Sequence, residues 1–307
     1  MTSAYAVAYA SALRAATEAA AGQNYPPGAL YMVATPIGNL ADITLRALHV
    51  LQMADAIACE DTRHTLALLR AYGIGKSAAQ LVALHQHNEA QAAQAVLERL
   101  RQGQRVAYAS DAGTPAISDP GARLAAAVRQ ADRLVIPLPG ASSVTAALSV
   151  AGITGESEAQ GAFVFVGFLP AKAGERAMAI EALRLEARSV VLLEAPHRIE
   201  ALATAVAALG SRPVTIGREL TKQFEEIATF GAADFPAWLA ADSNRQRGEF
   251  VVVLHPVPRT APDAPDSRVL KLLLAELPLK SAVKLAAEIT GQARNSLYEM
   301  ALKLKKD

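Results

Sequence analysis

The chain reads as an α/β protein: two α/β domains, with a small helical domain at the carboxyl end. Three observations predict this. Apolar runs of four to six residues alternate with helical patterns from Leu30 to Leu254, as expected of strands buried in a mainly parallel sheet. Loops rich in Gly, Pro, Asp, Ser and Thr follow several of these runs, where open α/β sheets bind ligands. A basic helical stretch closes the chain after a proline-rich segment.

Composition sets the outer bounds. The length of 307 residues suits about two domains. Hydrophobic residues make up 52% of the chain and aromatics only 5%, which favours helix-rich α/β packing with small contact residues. With 30 basic and 29 acidic residues there is no global field, so any basic face must be local. One cysteine, Cys59, excludes an internal disulfide framework and argues against a cysteine-based zinc site. It ends the run Ala56-Ile-Ala-Cys59 and reads as a small buried strand residue. No apolar run approaches the ~20 residues of a membrane span. Residues 1–28 are alanine-rich with Arg14 and Glu18, and read as a disordered extension or frayed helix rather than a signal peptide. The default compartment is therefore cytoplasmic.

The elements follow in order. Leu30–Thr35 is a strand ended by Pro36, and Ile43–Met53 a helix. Ala56–Cys59 is a strand, Thr62–Tyr72 a helix, and Leu81–Leu84 a short strand. Asn88 is placed to cap a helix running to Arg101. The strand Arg105–Ala109 and the helix Ala122–Gln130 flank a long loop. Leu134–Pro137 is a strand, and Ser142 opens a helix to Ala151. The polar stretch Gly152–Gly161 marks a boundary, giving domains at 29–151 and 160–255. In the second domain Phe163–Gly167, Ser189–Leu193 and Pro213–Gly217 are strands separated by helices. Glu225–Phe230 and Glu249–Leu254 flank one short helix at Asp234–Ala240, so this sheet is expected to be mixed. Four prolines between His255 and Asp266 make a linker. Residues 267–307 carry eight basic and four acidic residues. Within them, Ser281–Tyr298 has two helices joined at a glycine, resembling a helix-turn-helix as closely as a packing pair.

The loop Ser110-Asp-Ala-Gly-Thr-Pro-Ala-Ile-Ser-Asp-Pro-Gly121 carries the most chemistry. Connectors usually run ~2–6 residues, so this length needs a reason. Gly113 allows close approach of a ligand to the backbone, and Pro115 and Pro120 stiffen the loop. No G-x-G-x-x-G follows a strand, no P-loop survives at Gly75-Lys-Ser77, and no G-x-S-x-G elbow is present. His85-Gln-His87 lacks a partner for a metal site, so no metal is expected. The remaining strand-end loops are Thr35–Asn39, Glu60–His64, Pro139–Ser143, Glu194–Arg198 and Arg218–Lys222. All can converge at the carboxyl edges of two sheets.

These motifs carry a specific resemblance. TPIGNLADIT at Thr35–Thr44, EDTRHT at Glu60–Thr65, LHQHNE at Leu84–Glu89 and SDAGTPAISDPG at Ser110–Gly121 are joined by PLPGASS at Pro137–Ser143. GFLPAK at Gly167–Lys172, EAPHRI at Glu194–Ile199, RELTK at Arg218–Lys222 and AELPLK at Ala275–Lys280 complete the set. Over residues 30–307 the chain resembles the tetrapyrrole-methylase-type (class III) methyltransferases, and among them the branch that 2′-O-methylates a cytidine in the decoding centre of 16S rRNA. The resemblance implies two α/β domains with S-adenosyl-L-methionine in the cleft between them, a 16S rRNA substrate within the small ribosomal subunit, and a homodimer. It implies cofactor contacts at Pro36, Ser110, Asp111, Gly113, Thr114, Ser142, Ser143, Glu194 and Leu220. Where the wider family often has Gly-Asp-Pro, this chain reads Ser110-Asp-Ala. A general base is expected to take the ribose proton, and Glu60, Asp61 and Glu219 are the candidates. Arg63, His64, Lys172, His197, Arg198 and Lys222 would meet phosphates, which position RNA rather than specify it. Two alternatives stand beside this reading. One is a tetrapyrrole methyltransferase, disfavoured by the cationic EDTRH and PHR loops. The other is a non-catalytic RNA-binding or ribosome-assembly factor, motivated by the basic tail.

Overall fold

The computed structural model describes residues 2–85, 87–153, 161–257 and 267–304. Most of the expected boundary at 152–161, and of the expected linker at 255–266, lies outside the described residues. Residues 1–154 and 161–256 form one compact unit, and 257–307 belong to a second. The first unit holds two five-stranded sheets.

The first sheet contains β1 (Leu30–Val33), β2 (Ala56–Cys59), β3 (Leu81–Ala83), β4 (Val106–Ala109) and β5 (Val135–Leu138) in the order β3-β2-β4-β1-β5, all parallel. Its central strands are buried on both faces, which is why they read as unbroken apolar runs. Tyr31, Val33, Ile57, Ala107 and Ala109 face α2 (Leu45–Met53) and α3 (Thr62–Ala71). Leu30, Met32, Ala58, Val106 and Tyr108 face α4 (Glu89–Arg101) and α5 (Gly121–Gln130). The chain leaves β1 toward β2 and leaves the adjacent β4 toward β5, so two loops diverge at neighbouring strand ends. That divergence opens a crevice at the carboxyl edge.

Of the two readings open for residues 1–28, a disordered extension or a frayed helix, the helix is the one formed, α1 (Thr2–Ala20). Ala16 and Ala20 are buried, and Tyr9 packs edge-on against Tyr72 with ring centroids 4.9 Å apart. The alanines that made this segment look featureless permit its close approach to the core beside α2. Asn88 departs from expectation. Its side chain accepts from the His85 N–H and donates to the Ala83 carbonyl, so it closes the preceding turn rather than capping α4.

The second sheet is mixed, as expected. It contains β6 (Phe163–Gly167), β7 (Ser189–Glu194), β8 (Pro213–Arg218), β9 (Glu226–Gly231) and β10 (Phe250–Leu254) in the order β6-β7-β10-β8-β9. Only β6 and β7 are parallel. One face packs on α7 (Ala173–Ala182), α8 (Ile199–Val206) and α9 (Phe235–Ala240). The other receives α6 (Ser143–Val150), whose Val144 and Ala147 meet Val191, Val251 and Val253. Because α6 follows β5 directly, this contact brings the carboxyl edge of the first sheet against the second sheet.

Packing is tight where the Ser110 loop enters α5. A Cβ on Gly121 would lie 2.4 Å from Tyr108 Cε1 and 2.7 Å from Asp119 Oδ1. Gly121→Ala is therefore expected to destabilise the protein by about 1–3 kcal/mol in urea unfolding.

The second unit is a three-helix cluster: α10 (Ser267–Glu276), α11 (Leu279–Thr290) and α12 (Arg294–Leu304). Leu270, Val283, Ala286, Leu297 and Ala301 form its core. Gly291 ends α11 at φ 71°, the left-handed position that favours glycine. The helix pair expected around this glycine is present, and α10 completes its core through Leu270, Leu273 and Leu274.

Candidate functional site

Three loops are stitched together at the carboxyl edge of the first sheet. Thr35 and Gly113 exchange two backbone hydrogen bonds of 3.0 Å, and the Thr35 hydroxyl donates to the Ser110 carbonyl at 3.1 Å. The Thr114 hydroxyl donates to the Ala141 carbonyl at 3.0 Å, tying in the loop before α6. Gly113 sits at φ 81°, with Ile37 directly beside it. Asp119, fixed by Tyr108 Oη and the Ala116 and Gly121 N–H groups, braces the far end of the Ser110 loop.

Glu60, Asp61 and Asp111 interlock beside these loops. Glu60 Oε1 accepts from the Asp111 N–H at 3.0 Å, and Asp111 Oδ1 accepts from the Asp61 N–H at 3.3 Å. Burial raises the Glu60 carboxyl above its ordinary value, the Asp111 N–H partly offsets this, and the charges of Asp111 and Asp119 raise it further. Asp61 has a different environment. It caps α3, accepting from the Arg63 and His64 N–H groups, and pairs with the Arg63 guanidinium at 3.0 Å. Arg63 holds the Asp61 carboxyl down at about 2.

Glu219 is tied down as well. Its Oε1 accepts from Lys222 Nζ at 2.8 Å and from the Glu249 N–H at 2.9 Å. Burial acts to raise its pKa, but Lys222 and the Glu249 N–H outweigh burial and leave it lowered. Glu219 and Thr221 adopt φ 51° and 67°, and the buried Leu220 lies between them. Two non-glycine residues in the left-handed region mark a turn held by its surroundings. Of the three base candidates, Glu60 alone combines a raised pKa with a place on a cavity wall.

That cavity, about 130 Å³, is lined by Glu60, Ser110, Gly113, Thr114, Ser142 and Ser143. A larger one of about 390 Å³ shares Ala112, Ser118, Ser143 and Leu193 with it. Its wall includes Ile37, Phe168, Glu194, Leu220, Lys222 and Phe250. A third, of about 430 Å³, shares Ile37, Ala112, Lys222 and Glu249 with the second, and reaches Pro36, His64 and Asp111. The nine expected cofactor contacts thus gather around connected compartments between the sheets. Leu193, Phe250 and Glu249 were not anticipated, since nothing local distinguishes them from other strand residues.

Glu194 is the most unusual group in the cleft. Its side chain is 1% exposed, and Oε1 accepts from the Ala195 N–H at 3.0 Å and meets Arg198 Nε at 3.3 Å. Oε2 is buried with no partner. Arg198, expected to meet phosphate, is turned inward: it also donates to the Leu169 carbonyl and is only 24% exposed. The other expected cationic contacts lie outward. Arg63 is 90% exposed beside Asp61, Lys172 is 82% exposed beside Glu175, and His64 and His197 are exposed. Lys222 is bound by Glu219 and Glu249 on the cavity wall. Among the described residues no three His, Cys, Asp or Glu side chains converge on a metal site.

Residues 29–235 match the family model for tetrapyrrole (corrin/porphyrin) methylases. The chain belongs to the tetrapyrrole methylase family. Residues 260–305 match a second model, the RsmI C-terminal HTH domain. The ribosomal RNA small subunit methyltransferase I of Escherichia coli O157:H7 is 48% identical over 279 residues, 90% of this chain and 95% of that protein. Among solved tetrapyrrole methylases, a uroporphyrin-III-C-methyltransferase from Thermus thermophilus superposes with a TM-score of 0.51. It is 22% identical and covers 74% of this chain and 94% of that one. A structure of the Thermus thermophilus enzyme in complex with S-adenyl homocysteine has a TM-score of 0.50 at 18% identity, covering 73% of this chain and 96% of that one.

Proposed function

We propose that this methylase transfers a methyl group from S-adenosyl-L-methionine to the ribose 2′-oxygen of a cytidine in the decoding centre of 16S rRNA, within the small ribosomal subunit. The observation that carries the reading is the likeness to a ribosomal RNA small subunit methyltransferase I, which runs through nine-tenths of the chain. On this reading the enzyme is a cytoplasmic homodimer. No helix among the described residues is long and apolar enough to cross a membrane.

The cleft fits the methyl donor by the chemistry of its wall. It offers hydroxyls at Ser110, Thr114, Ser142 and Ser143, apolar surface at Ile37, Leu193, Leu220 and Phe250, and an unpartnered buried carboxylate oxygen on Glu194. A buried carboxylate oxygen left without a hydrogen-bond partner is costly, and a donor group on the ligand would relieve it. Pro36, Asp111 and Gly113 would complete the contacts. When bound, S-adenosyl-L-methionine supplies an electrophilic sulfonium methyl group.

The chain's own residues do the rest. Glu60, raised toward working pH and facing the smaller cavity, takes the proton from the ribose 2′-hydroxyl. Asp61 holds α3 and, through its N–H, Asp111, while Glu219 anchors Lys222 and the turn carrying Leu220. Arg63, His64, Lys172 and His197 contact phosphates, and Lys222 joins them at the cavity mouth. Arg198 positions Glu194. Holding two reactants in register can supply about 7–11 kcal/mol of barrier reduction, the main work left to such a site.

The test is methyl transfer to small subunits lacking the modification, followed by mass spectrometry of the nucleosides. A 2′-O-methylcytidine confined to the decoding-centre fragment is the expected result. Unlabelled subunits, or methylation of a porphyrin precursor instead, would reject the reading. Glu194→Gln removes the charge but keeps the shape. It is expected to weaken S-adenosyl-L-methionine binding about 10- to 100-fold in calorimetry, the scale of a charge-assisted hydrogen bond.

A further inference from the structure

The loop that follows β6 presents an aromatic side chain in a way that the methyl-donor site does not explain. Phe168 is 51% exposed yet lines the cavity of about 390 Å³. Strand alternation alone would have sent it elsewhere. Phe165 packs on the cleft face of the second sheet with Val191 and Val251, so regular alternation would put Gly167 and Leu169 on that face too. Instead, β6 shifts register against β7 between Phe165 and Gly167, and Gly167 turns the chain at φ 72°. One extra residue exchanges the two faces. Leu169 enters the core on the opposite face with Ile180 and Leu192, and Phe168 emerges at the cleft.

The segment is also rigid. Arg198 donates to the Leu169 carbonyl, and Arg176 Nη1 donates to the Ala171 carbonyl at 2.9 Å and the Pro170 carbonyl at 3.4 Å. Two largely buried guanidinium groups thus fix a loop whose one large exposed apolar side chain is a phenylalanine. Basic residues lie on the same loop and the next. Lys172, four residues on, is 82% exposed and pairs with Glu175, and His197 is exposed on the loop after the neighbouring strand β7. An exposed aromatic face on a braced loop, with basic residues on that loop and the next, is the kind of surface that holds single-stranded nucleic acid, the ring taking a base and the lysine a phosphate.

We propose that Phe168 is the stacking platform for an unpaired nucleobase of the RNA substrate, at the target nucleotide or its immediate neighbour. The face exchange at Val166 exists to present it. The assignment rests on the RNA-methylating function proposed above. Stacking is tolerant of base identity, so Phe168 holds and orients the nucleotide while the depth of the cleft limits which ribose reaches Glu60.

The experiment compares full-length wild type with Phe168→Ala, Phe168→Leu and Phe168→Trp, with Leu185→Ala as a remote exposed control. Methyl transfer to unmodified small subunits, S-adenosyl-L-methionine affinity by calorimetry, and mass by sedimentation are read for each. Phe168→Ala and Phe168→Leu should lower kcat/KM for the subunit about 5- to 150-fold. Phe168→Trp should retain it, donor affinity and mass should not change, and Leu185→Ala should match wild type. Equal losses in Ala, Leu and Trp would overturn the platform. So would a loss of donor affinity, which makes Phe168 a cofactor contact, or a change in mass, which makes it a contact between copies. If wild type itself transfers nothing to the subunit, the underlying function and the platform both fall. If wild type is active and Phe168→Ala equals it, only the platform does.

Discussion

Glu60→Gln is expected to lower kcat for methyl transfer by about 10²- to 10⁴-fold, the range for loss of a positioned general base. The substitution is nearly isosteric, and its amide oxygen can still accept from the Asp111 N–H, so the loop geometry and methyl-donor affinity should hold. The pH profile separates this role from a structural one. Only the carboxylate form can accept the ribose proton, and burial raises the pKa of Glu60. Activity should therefore fall as pH is lowered through that raised value, at a higher pH than an ordinary glutamate would give. Asp61→Asn should leave this acid limb in place, because Asp61 is held at about 2 by Arg63 and remains ionised throughout. If Glu60→Gln keeps wild-type kcat, or if the acid limb survives in it, the base is another group.

Arg198→Met is expected to destabilise the protein by about 3–5 kcal/mol in equilibrium urea unfolding, since removing one partner leaves the other charge buried and uncompensated. Glu194 is the group left behind, with Oε1 then held only by the Ala195 N–H and Oε2 already unpartnered. Methionine keeps most of the length of the arginine stem, so lost packing is a small part of the effect. Adding Glu194→Gln should recover much of the loss, because the double variant no longer buries a charge. Had Arg198 been a phosphate contact at the cleft rim, the single variant would keep its stability and lose only affinity for the subunit. That outcome would return Arg198 to the RNA surface.

Most of the fold was legible in the chain, for reasons visible in particular elements. The central strands of the first sheet are buried on both faces, so β1, β2 and β4 stand out as unbroken apolar runs. The half-exposed edge strands β6 and β9 were still found, because each is bounded by turn residues. The helix α1 was legible only as one of two alternatives. Nine of its nineteen residues are alanine, and alanine shows where a helix can sit closely but not that it does. Asn88 beside the helix start suggested a cap, yet its amide found partners at His85 and Ala83 within the turn before it.

Within the candidate site, the sequence by itself determined which loops carry chemistry, because glycine, proline and short polar residues gather only where a backbone must turn and meet a ligand. It also determined the family, through long ordered motifs. Only the tertiary structure decided what the charged residues in those loops do. Glu60, Asp61 and Glu219 are equivalent carboxylates in sequence. One is buried against other acids, one caps a helix beside an arginine, and one is held by a lysine. Arg63 and Arg198 are both arginines after a strand, yet one points to solvent and the other turns inward onto Glu194 and the Leu169 carbonyl. A side chain's charge is written in the sequence. Its dielectric surroundings and partners come from elements that can lie more than fifty residues away, and those set whether it binds, catalyses or braces.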